Sequence, residues 1–178
     1  MPFRFSYIAA VFAAAGVSGG SAAAQDLENT IYLDVDGGRV TIEMRPDVAP
    51  MHVARIKELT RQGFYDGLTF HRVIDGFMAQ TGDPRGDGTG GSGQNITAEF
   101  NQMPFERGVV GMARSQNPNS GDSQFFIMFE AAPHLDRQYT VFGKVVEGME
   151  FVDKIKRGDQ NNNGAVTDPD KIISFKSL

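Results

Sequence analysis

The sequence of 178 residues predicts a mainly β fold, an antiparallel barrel that carries two α-helices. Three observations support this prediction. About eight short runs are rich in β-branched and aromatic residues, only two stretches have helical periodicity, and the strands do not alternate with helices as they would in a parallel sheet. The chain also contains no internal repeat.

The first two strands are predicted to form a hairpin. Thr30 to Val35 and Arg39 to Met44 are β-rich runs, and Asp36-Gly37-Gly38 joins them. The two glycines can adopt the positive φ angles that tight hairpin turns require.

A helix is predicted over Ala49 to Gln62. Pro50 suits the first helical turn, and Gly63 suits the position just after the last one. Three apolar residues fall on one stripe at helical spacing, namely Val53, Ile56 and Leu59. This stripe is expected to face the core.

The rest of the chain is dominated by strands. Met149 to Lys156 predicts a second helix, and the glycine-rich stretches 82–93 and 117–121 predict surface loops that carry recognition. Six further β-rich runs predict strands at Thr69–Ile74, Phe77–Thr81, Val109–Met112, Gln124–Met128, Val141–Val146 and Ile172–Lys176.

The first 24 residues have the form of a secretory signal peptide. Arg4 is their only charged residue, an apolar stretch follows to about Val17, and Ala22-Ala23-Ala24 supplies small residues at a cleavage site before Gln25. A membrane anchor is the alternative, but the apolar stretch is shorter than the roughly 20 residues that a spanning helix needs. We therefore expect cleavage and one mature domain, residues 25–178.

Composition limits the classes of partner. The chain has no cysteine, so its core must be stable without disulfides, although an exported protein could form them. Its net charge of −5 and pI near 5.1 argue against duplex nucleic acid or anionic lipid as a main partner. After signal cleavage we expect a monomer with no nucleic-acid or membrane partner.

The stretch from Phe70 to Gln80 carries the strongest functional signal. It places Arg72 among apolar, strand-like residues and follows it with an aromatic ring, a thioether and a carboxamide. Side chains alternate between the faces of an extended strand, so Phe70, Arg72 and Ile74 are expected to share one face. Arg72 would then project from a rigid sheet.

Two further blocks accompany this stretch in the same order along the chain. The second is Gly111-Met112-Ala113-Arg114 with Pro118-Asn119-Ser120 and Ser123-Gln124-Phe125-Phe126-Ile127, and the third is Leu135-Asp136 with Val141-Phe142-Gly143-Lys144-Val145. With these three blocks the chain resembles the cyclophilin family of peptidyl-prolyl isomerases over about residues 30–175. The resemblance implies a closed eight-stranded antiparallel barrel capped by two α-helices, and an enzyme that acts on proline-containing peptides.

The chemistry of this reaction fits a single arginine. Rotation about a peptide bond has a barrier of roughly 18–20 kcal/mol, whereas the two isomers of an X-Pro bond differ by only about 1 kcal/mol. A donor that reaches the prolyl nitrogen as it pyramidalises binds the twisted state better than either planar state, and that difference is catalysis. Arg72 suits this role because guanidinium stays charged and presents several donors. The reaction requires no metal, cofactor or nucleophile.

The resemblance also implies the remainder of the site. An apolar slot for the proline ring would be formed by Phe77, Met78, Phe126 and Leu135, while Gln80 and the backbone near Ala113 and Arg114 would bind the substrate main chain. From their spacing alone, Phe126 and Leu135 are equally typical of a core.

Three substrate-binding positions differ from the pattern that is commonest in the family. Arg114 stands where asparagine is usual, His134 where tryptophan is usual, and Tyr139 where histidine is usual. The missing indole implies that cyclosporin-type inhibitors bind weakly. The segments 114–120 and 138–141 look more like bacterial members, which together with the signal peptide predicts a periplasmic protein.

One loop has an alternative interpretation as a calcium site. Asp159 to Gly164 has oxygen-bearing side chains at positions 1, 3 and 5 and glycine at position 6 of a calcium loop, and Asp170 falls at position 12. Glutamate is usual at position 12, and the expected continuation is a strand rather than a helix. These departures favour a solvated turn and no metal site.

The sequence thus predicts an exported, cofactor-free peptidyl-prolyl isomerase that assists the folding of exported proteins. Its partners would be proline-containing peptides and unfolded exported chains. Two other classes stay open at this point. One is a module that binds proline segments or unfolded chains without turnover, and the other is a calcium-dependent structural protein on a barrel scaffold.

Overall fold

A computed structural model describes residues 27–177, so the predicted signal peptide lies outside the described residues. Within this part of the chain no helix is long and apolar enough to cross a membrane. The helices are α1 (Pro50–Arg61) and α2 (Met149–Val152). The strands are β1 (Thr30–Val35), β2 (Gly38–Met44), β3 (Arg72–Ile74), β4 (Met78–Thr81), β5 (Val109–Met112), β6 (Phe125–Met128), β7 (Val141–Glu147) and β8 (Ser174–Ser177).

All eight strands belong to one antiparallel sheet in the order β3-β4-β6-β5-β7-β2-β1-β8. The mainly β prediction with eight antiparallel strands and two helices is therefore confirmed, and the hairpin of β1 and β2 is where the sequence placed it. Its turn residue Gly37 has a φ of +92°, the left-handed conformation that glycine adopts without a steric cost.

The closed barrel that the family resemblance implied is wrong. Within residues 27–177 the edge strands β3 and β8 do not pair with each other, and the sheet is a curled, open half-barrel. The segment 158–173 occupies the gap. On one side Val73 N–H donates to Gly164 O and Gly158 N–H donates to Val73 O, each at 2.8 Å, and on the other Ile173 N–H donates to Asp34 O at 2.8 Å. The Asn, Asp, Gly and Pro residues of this segment favour turns, which prevents it from forming a regular strand.

The bounds of α2 and β8 differ from those predicted from the sequence. α2 covers four residues instead of eight, because beyond Val152 the chain tightens into i→i+3 bonds, including Lys154 N–H to Phe151 O. β8 begins at Ser174 because Ile172 N–H donates to Leu68 O outside the sheet. Both changes allow the chain to bridge the open side of the half-barrel.

The sheet is apolar on both faces near its centre, and every residue of β5 and β6 is buried. The concave face holds the main core, which α1 covers with the predicted stripe, and Val53, Ile56 and Leu59 are each at most 2% exposed. A second apolar cluster packs on the opposite face. Its buried members are Met78, Phe105, Val109, Phe126, Met128, Ala132, Leu135 and Val141.

A carboxylate from a distant loop caps the first turn of α1. The residue before the helix, Ala49, has no side-chain acceptor, so the first N–H groups of the helix need another partner. Glu99 supplies it. Its oxygens accept from the backbone N–H groups of Met51 at 3.0 Å and His52 at 2.9 Å, and one oxygen lies 2.6 Å from His52 Nδ1.

This contact makes the fold sensitive to acid. Burial lowers the pKa of the His52 imidazole, although the bond to Glu99 acts in the opposite direction. Burial alone would raise the pKa of the Glu99 carboxyl, but the hydrogen bonds from His52 and from the two backbone N–H groups bring it below its ordinary value. Burial also lowers the pKa of His71. The folded state thus holds neutral imidazoles that the unfolded chain would protonate.

We therefore expect the free energy of unfolding to fall on acidification. A group whose pKa is depressed by folding contributes stability above its unfolded pKa, here about 6.5 for histidine, and that contribution is lost as the pH falls toward the folded pKa. Urea titrations at pH about 7.5 and about 5.5 should show a smaller loss for His52→Gln than for the parent, with the remainder due in part to His71. An equal loss in both proteins would contradict this assignment.

Candidate active site

A cavity of about 550 Å³ lies on the face of the sheet that carries the second apolar cluster. The register of the strands determines which side chains line this cavity. Arg72 of β3 pairs with Gln80 of β4, Gln80 pairs with Phe126 of β6, and Phe126 pairs with Gly111 of β5. Residues in register share a face, so a cation, a carboxamide and an aromatic ring lie side by side.

The Arg72 guanidinium is held by neutral oxygens only. Its Nε donates to the backbone carbonyl of Asn163 at 3.0 Å, Nη2 donates to Asn163 Oδ1 at 2.9 Å, and Nη1 donates to Gln80 Oε1 at 3.1 Å. None of the ion pairs formed within residues 27–177 includes Arg72. Burial lowers the pKa of the Arg72 guanidinium, which has no carboxylate beside it to offset the effect.

A chain of amides extends from Arg72 along the polar side of the cavity. Gln80 Nε2 donates to Gln124 Oε1 at 2.9 Å, and Gln124 Nε2 donates to the carbonyls of Gly88 at 3.1 Å and Gly90 at 2.8 Å. These contacts orient both carboxamides, so Gln80 presents its oxygen to the arginine. They also tie the glycine-rich loop to the sheet.

The apolar side of the cavity is a slot around Phe126. The Phe126 ring stacks on Phe105 with centroids 5.7 Å apart and meets the edge of Tyr139 at 5.9 Å. Gly111 makes this arrangement possible, because a Cβ at that position would lie 2.6 Å from the rings of both Phe105 and Phe126. The ring therefore lies flat over the strand. The other apolar residues that line the cavity are Phe77, Met78, Ala113, Leu135 and Ala165.

Arg114 lines the cavity, but its charge is directed to backbone oxygens. Its guanidinium donates to Gln138 O at 2.8 and 3.1 Å and to Ser115 O at 2.8 Å, and it lies 4.4 Å above the Tyr139 ring. The side chain thus joins two loops at the rim. Ala113 N–H donates to Gln124 O, so the sheet already uses that donor.

The other sequence-based site residues lie as follows. His134 is exposed outside the cavity lining and packs against Phe77 with ring centroids 5.7 Å apart, which places it at the rim. Phe70 does not share a face with Arg72 as the alternation of an extended strand implied. β3 begins only at Arg72, and Phe70 packs into the main core.

Sequence reasoning identified Gln80 but missed Asn163, which also holds the arginine, and Gln124, which orients Gln80. Asn163 comes from a turn 91 positions beyond Arg72, and Gln124 precedes β6. The run 159–164, which contains Asn163, does stand out in the sequence, but its pattern also fitted a calcium loop. In the structure Asp159 caps the turn by accepting from Asn161 N–H, and Asp170 accepts from Lys156 N–H.

The part of the chain that the structure describes contains no cluster of three or more His, Cys, Asp or Glu side chains placed to hold a metal ion. The oxygens of Asn163 contact Arg72 instead. The absence of a metal requirement stays a prediction.

Comparison with known sequences identifies relatives along nearly the whole chain. The family model described as cyclophilin type peptidyl-prolyl cis-trans isomerase/CLD matches residues 30–177. A probable peptidyl-prolyl cis-trans isomerase of Brucella suis is 55% identical over 183 residues, which cover 96% of this chain and 93% of the relative. Peptidyl-prolyl cis-trans isomerase B of Bacillus subtilis is 47% identical over 130 residues, which cover 72% of this chain and 90% of the relative.

Solved structures agree with these matches. Cyclophilin AquaCyp293 from Hirschia baltica superposes with a TM-score of 0.77 at 29% identity, covering 86% of this chain and 75% of that one. A cyclophilin type peptidyl-prolyl cis-trans isomerase of Cryptosporidium parvum, crystallised in the presence of the dipeptide Ala-Pro, has a TM-score of 0.77 at 28% identity. That match covers 84% of this chain and 98% of the other.

Proposed function

We propose that Arg72 stabilises the twisted amide while the Phe126 slot holds the proline ring. The premise is that this chain belongs to the cyclophilin-type peptidyl-prolyl cis-trans isomerase family and is an enzyme of that type. The register of Arg72, Gln80 and Phe126 on three adjacent strands carries this proposal, because it fixes a cation beside an apolar slot. A proline ring in the slot would bring its nitrogen to the side of the cavity where the guanidinium lies.

The electrostatics support the same assignment. The prolyl nitrogen regains its lone pair as the amide twists, and a positively charged donor then binds it more strongly than in either planar state. The contacts of Arg72 with neutral oxygens fix its orientation and leave its charge unpaired. A partly buried charge acts through a lower effective dielectric constant than a charge in bulk water.

The surrounding residues would orient the peptide. Phe77, Met78 and Leu135 would grip the ring, and Gln80 would contact the main chain from a fixed amide. Because Ala113 N–H already donates to Gln124 O, the substrate backbone would instead contact the Ala113 carbonyl and the Arg114 N–H. Tyr139 would close the slot from the side, held by its cation–π contact with Arg114.

We further propose that the protein acts in the periplasm on exported chains, as a monomer and without a cofactor. The support is the signal-like composition of residues 1–24 and the net charge of −5, which is unsuited to duplex nucleic acid. Unfolded exported chains would supply the X-Pro bonds.

We expect Arg72→Ala to lower kcat/KM by about 10²–10³, the usual cost of removing one donor that stabilises developing charge. Arg72→Lys should recover little, because an ammonium group cannot reproduce the guanidinium fork that Asn163 and Gln80 hold. Exchange between the cis and trans NMR signals of an X-Pro peptide measures this effect. Arg39→Ala is the matched control, since Arg39 pairs with Asp34 and neither residue lines the cavity. Near-parental activity in Arg72→Ala would refute the assignment.

We expect His134→Trp to tighten the binding of a cyclosporin-type inhibitor by about tenfold, which corresponds to 1.4 kcal/mol. An indole offers more apolar area than imidazole at the rim and one N–H donor. Calorimetry on the parent and the variant measures the affinities. Equal values would show that the side chain at position 134 does not reach the ligand.

We expect export to depend on residues 1–24. A carboxy-terminally tagged full-length chain should fractionate with the periplasm of a Gram-negative host, and its amino terminus should begin at Gln25. A chain that lacks residues 1–24 should remain in the cytoplasm. An uncleaved full-length protein in the cytoplasmic fraction would contradict the localisation.

A further inference from the structure

The turn that holds Arg72 contains a chemically labile pair. Asn163–Gly164 is the only Asn-Gly sequence in the chain. In such pairs the backbone nitrogen of the glycine can attack the asparagine side-chain amide, because glycine has no side chain to obstruct the approach. Asparagine is accordingly among the thermolabile residues of proteins.

The fold fixes both members of the pair. Asn163 adopts φ +51°, a left-handed conformation that asparagine tolerates better than most residues. Gly164 has φ +77°, and a Cβ there would lie 2.5 Å from Ile74 Cγ1 and 3.1 Å from Val73 O. A larger residue at position 164 would clash with β3, so the turn keeps its glycine and therefore its labile pair.

The contacts of Asn163 both promote and restrain the reaction. Asn163 is exposed to water, and the Arg72 guanidinium donates to its Oδ1 at 2.9 Å, which withdraws electron density from Cγ. The restraint is that Gly164 N–H donates to Asp159 O at 2.8 Å. The turn must open before this nitrogen can attack, so the folded protein should react more slowly than a free peptide.

We propose that Asn163 is a site of spontaneous deamidation that silences the enzyme. The Gly164 nitrogen forms a bond to Asn163 Cγ, the Cγ–Nδ2 bond breaks, and the displaced amide leaves as ammonia with the proton of the Gly164 N–H. Water then opens the succinimide at either carbonyl to give aspartate or isoaspartate. No oxidant or other reactant is needed.

The loss of activity follows from the position of the new carboxylate. Either product places an anion in the turn where Arg72 now has a neutral partner, and an ion pair would offset the charge that the twisted amide requires. Isoaspartate also lengthens the backbone and converts the carbonyl that accepts from Arg72 Nε into a carboxylate. This step rests on the proposed role of Arg72, whereas deamidation itself does not.

The experiment ages the purified protein at pH about 8.5 and 37 °C and samples it over weeks. Trypsin releases residues 158–171 as one peptide, and fragmentation separates Asn163 from Asn161 and Asn162. We expect isomerase activity to fall in step with the deamidated fraction at Asn163. Fresh Asn163→Asp should have kcat/KM lower by about tenfold or more.

Asn163→Gly is the control for ageing, because glycine keeps the left-handed φ and has no side-chain amide to lose. Its activity, relative to its own fresh sample, should stay constant over the same period. Intact Asn163 in aged parent protein would overturn the modification site. Deamidation at Asn163 with undiminished activity would overturn the silencing, and in that case the result of Arg72→Ala still decides the proposed function separately.

Discussion

The hydrogen bonds between Val73 and the segment 158–164 are the contact on which the architecture depends. They attach an irregular chain segment to the edge strand β3 and cover the open side of the half-barrel. Without them, the backbone groups of β3 that face away from β4 would lack partners, at a cost comparable to lost hydrogen bonds. The same segment carries Asn163, so the contact that completes the fold also positions the guanidinium.

A second constraint is that one sheet serves two apolar layers. The concave face packs under α1, and the opposite face carries the cluster around Phe126. Most small antiparallel sheets leave one face to water. Here the second layer is incomplete, because Phe77, Phe126 and Tyr139 line a cavity bordered by the polar row of Arg72 and Gln80. The site is therefore a gap in a packed layer, with Arg72, Gln80 and Phe126 fixed on strands and the rest of its lining supplied largely by the loops around them.

Much of the fold was predictable because its signals are local. The β1–β2 hairpin depends on adjacent glycines, and the buried stripe of α1 depends on spacing within 12 residues. The face of Arg72 relative to Ile74 also followed from strand alternation. The prediction for Phe70 failed because it assumed an extended chain before β3, where the backbone instead bonds to Asp170.

The parts that could not be predicted depend on contacts distant in sequence. Nothing near Arg72 indicates that Asn163 will accept from it, since a run of Asp, Asn and Gly is equally suited to a solvated turn. The closed barrel was inferred from family resemblance and was wrong because of the turn-forming residues 158–173. The short α2 has the same origin, since the chain must leave the helix early to reach β3.

The pairing of β1 with β8 has a consequence for when the molecule can fold. Ile31 of β1 lies opposite Ser177 of β8, so one edge of β1 pairs with its sequence neighbour β2 and the other pairs with the last strand in chain order. When only the amino-terminal half of the chain has emerged from the ribosome, the sheet is therefore incomplete. Pairing between strands so distant in sequence slows folding.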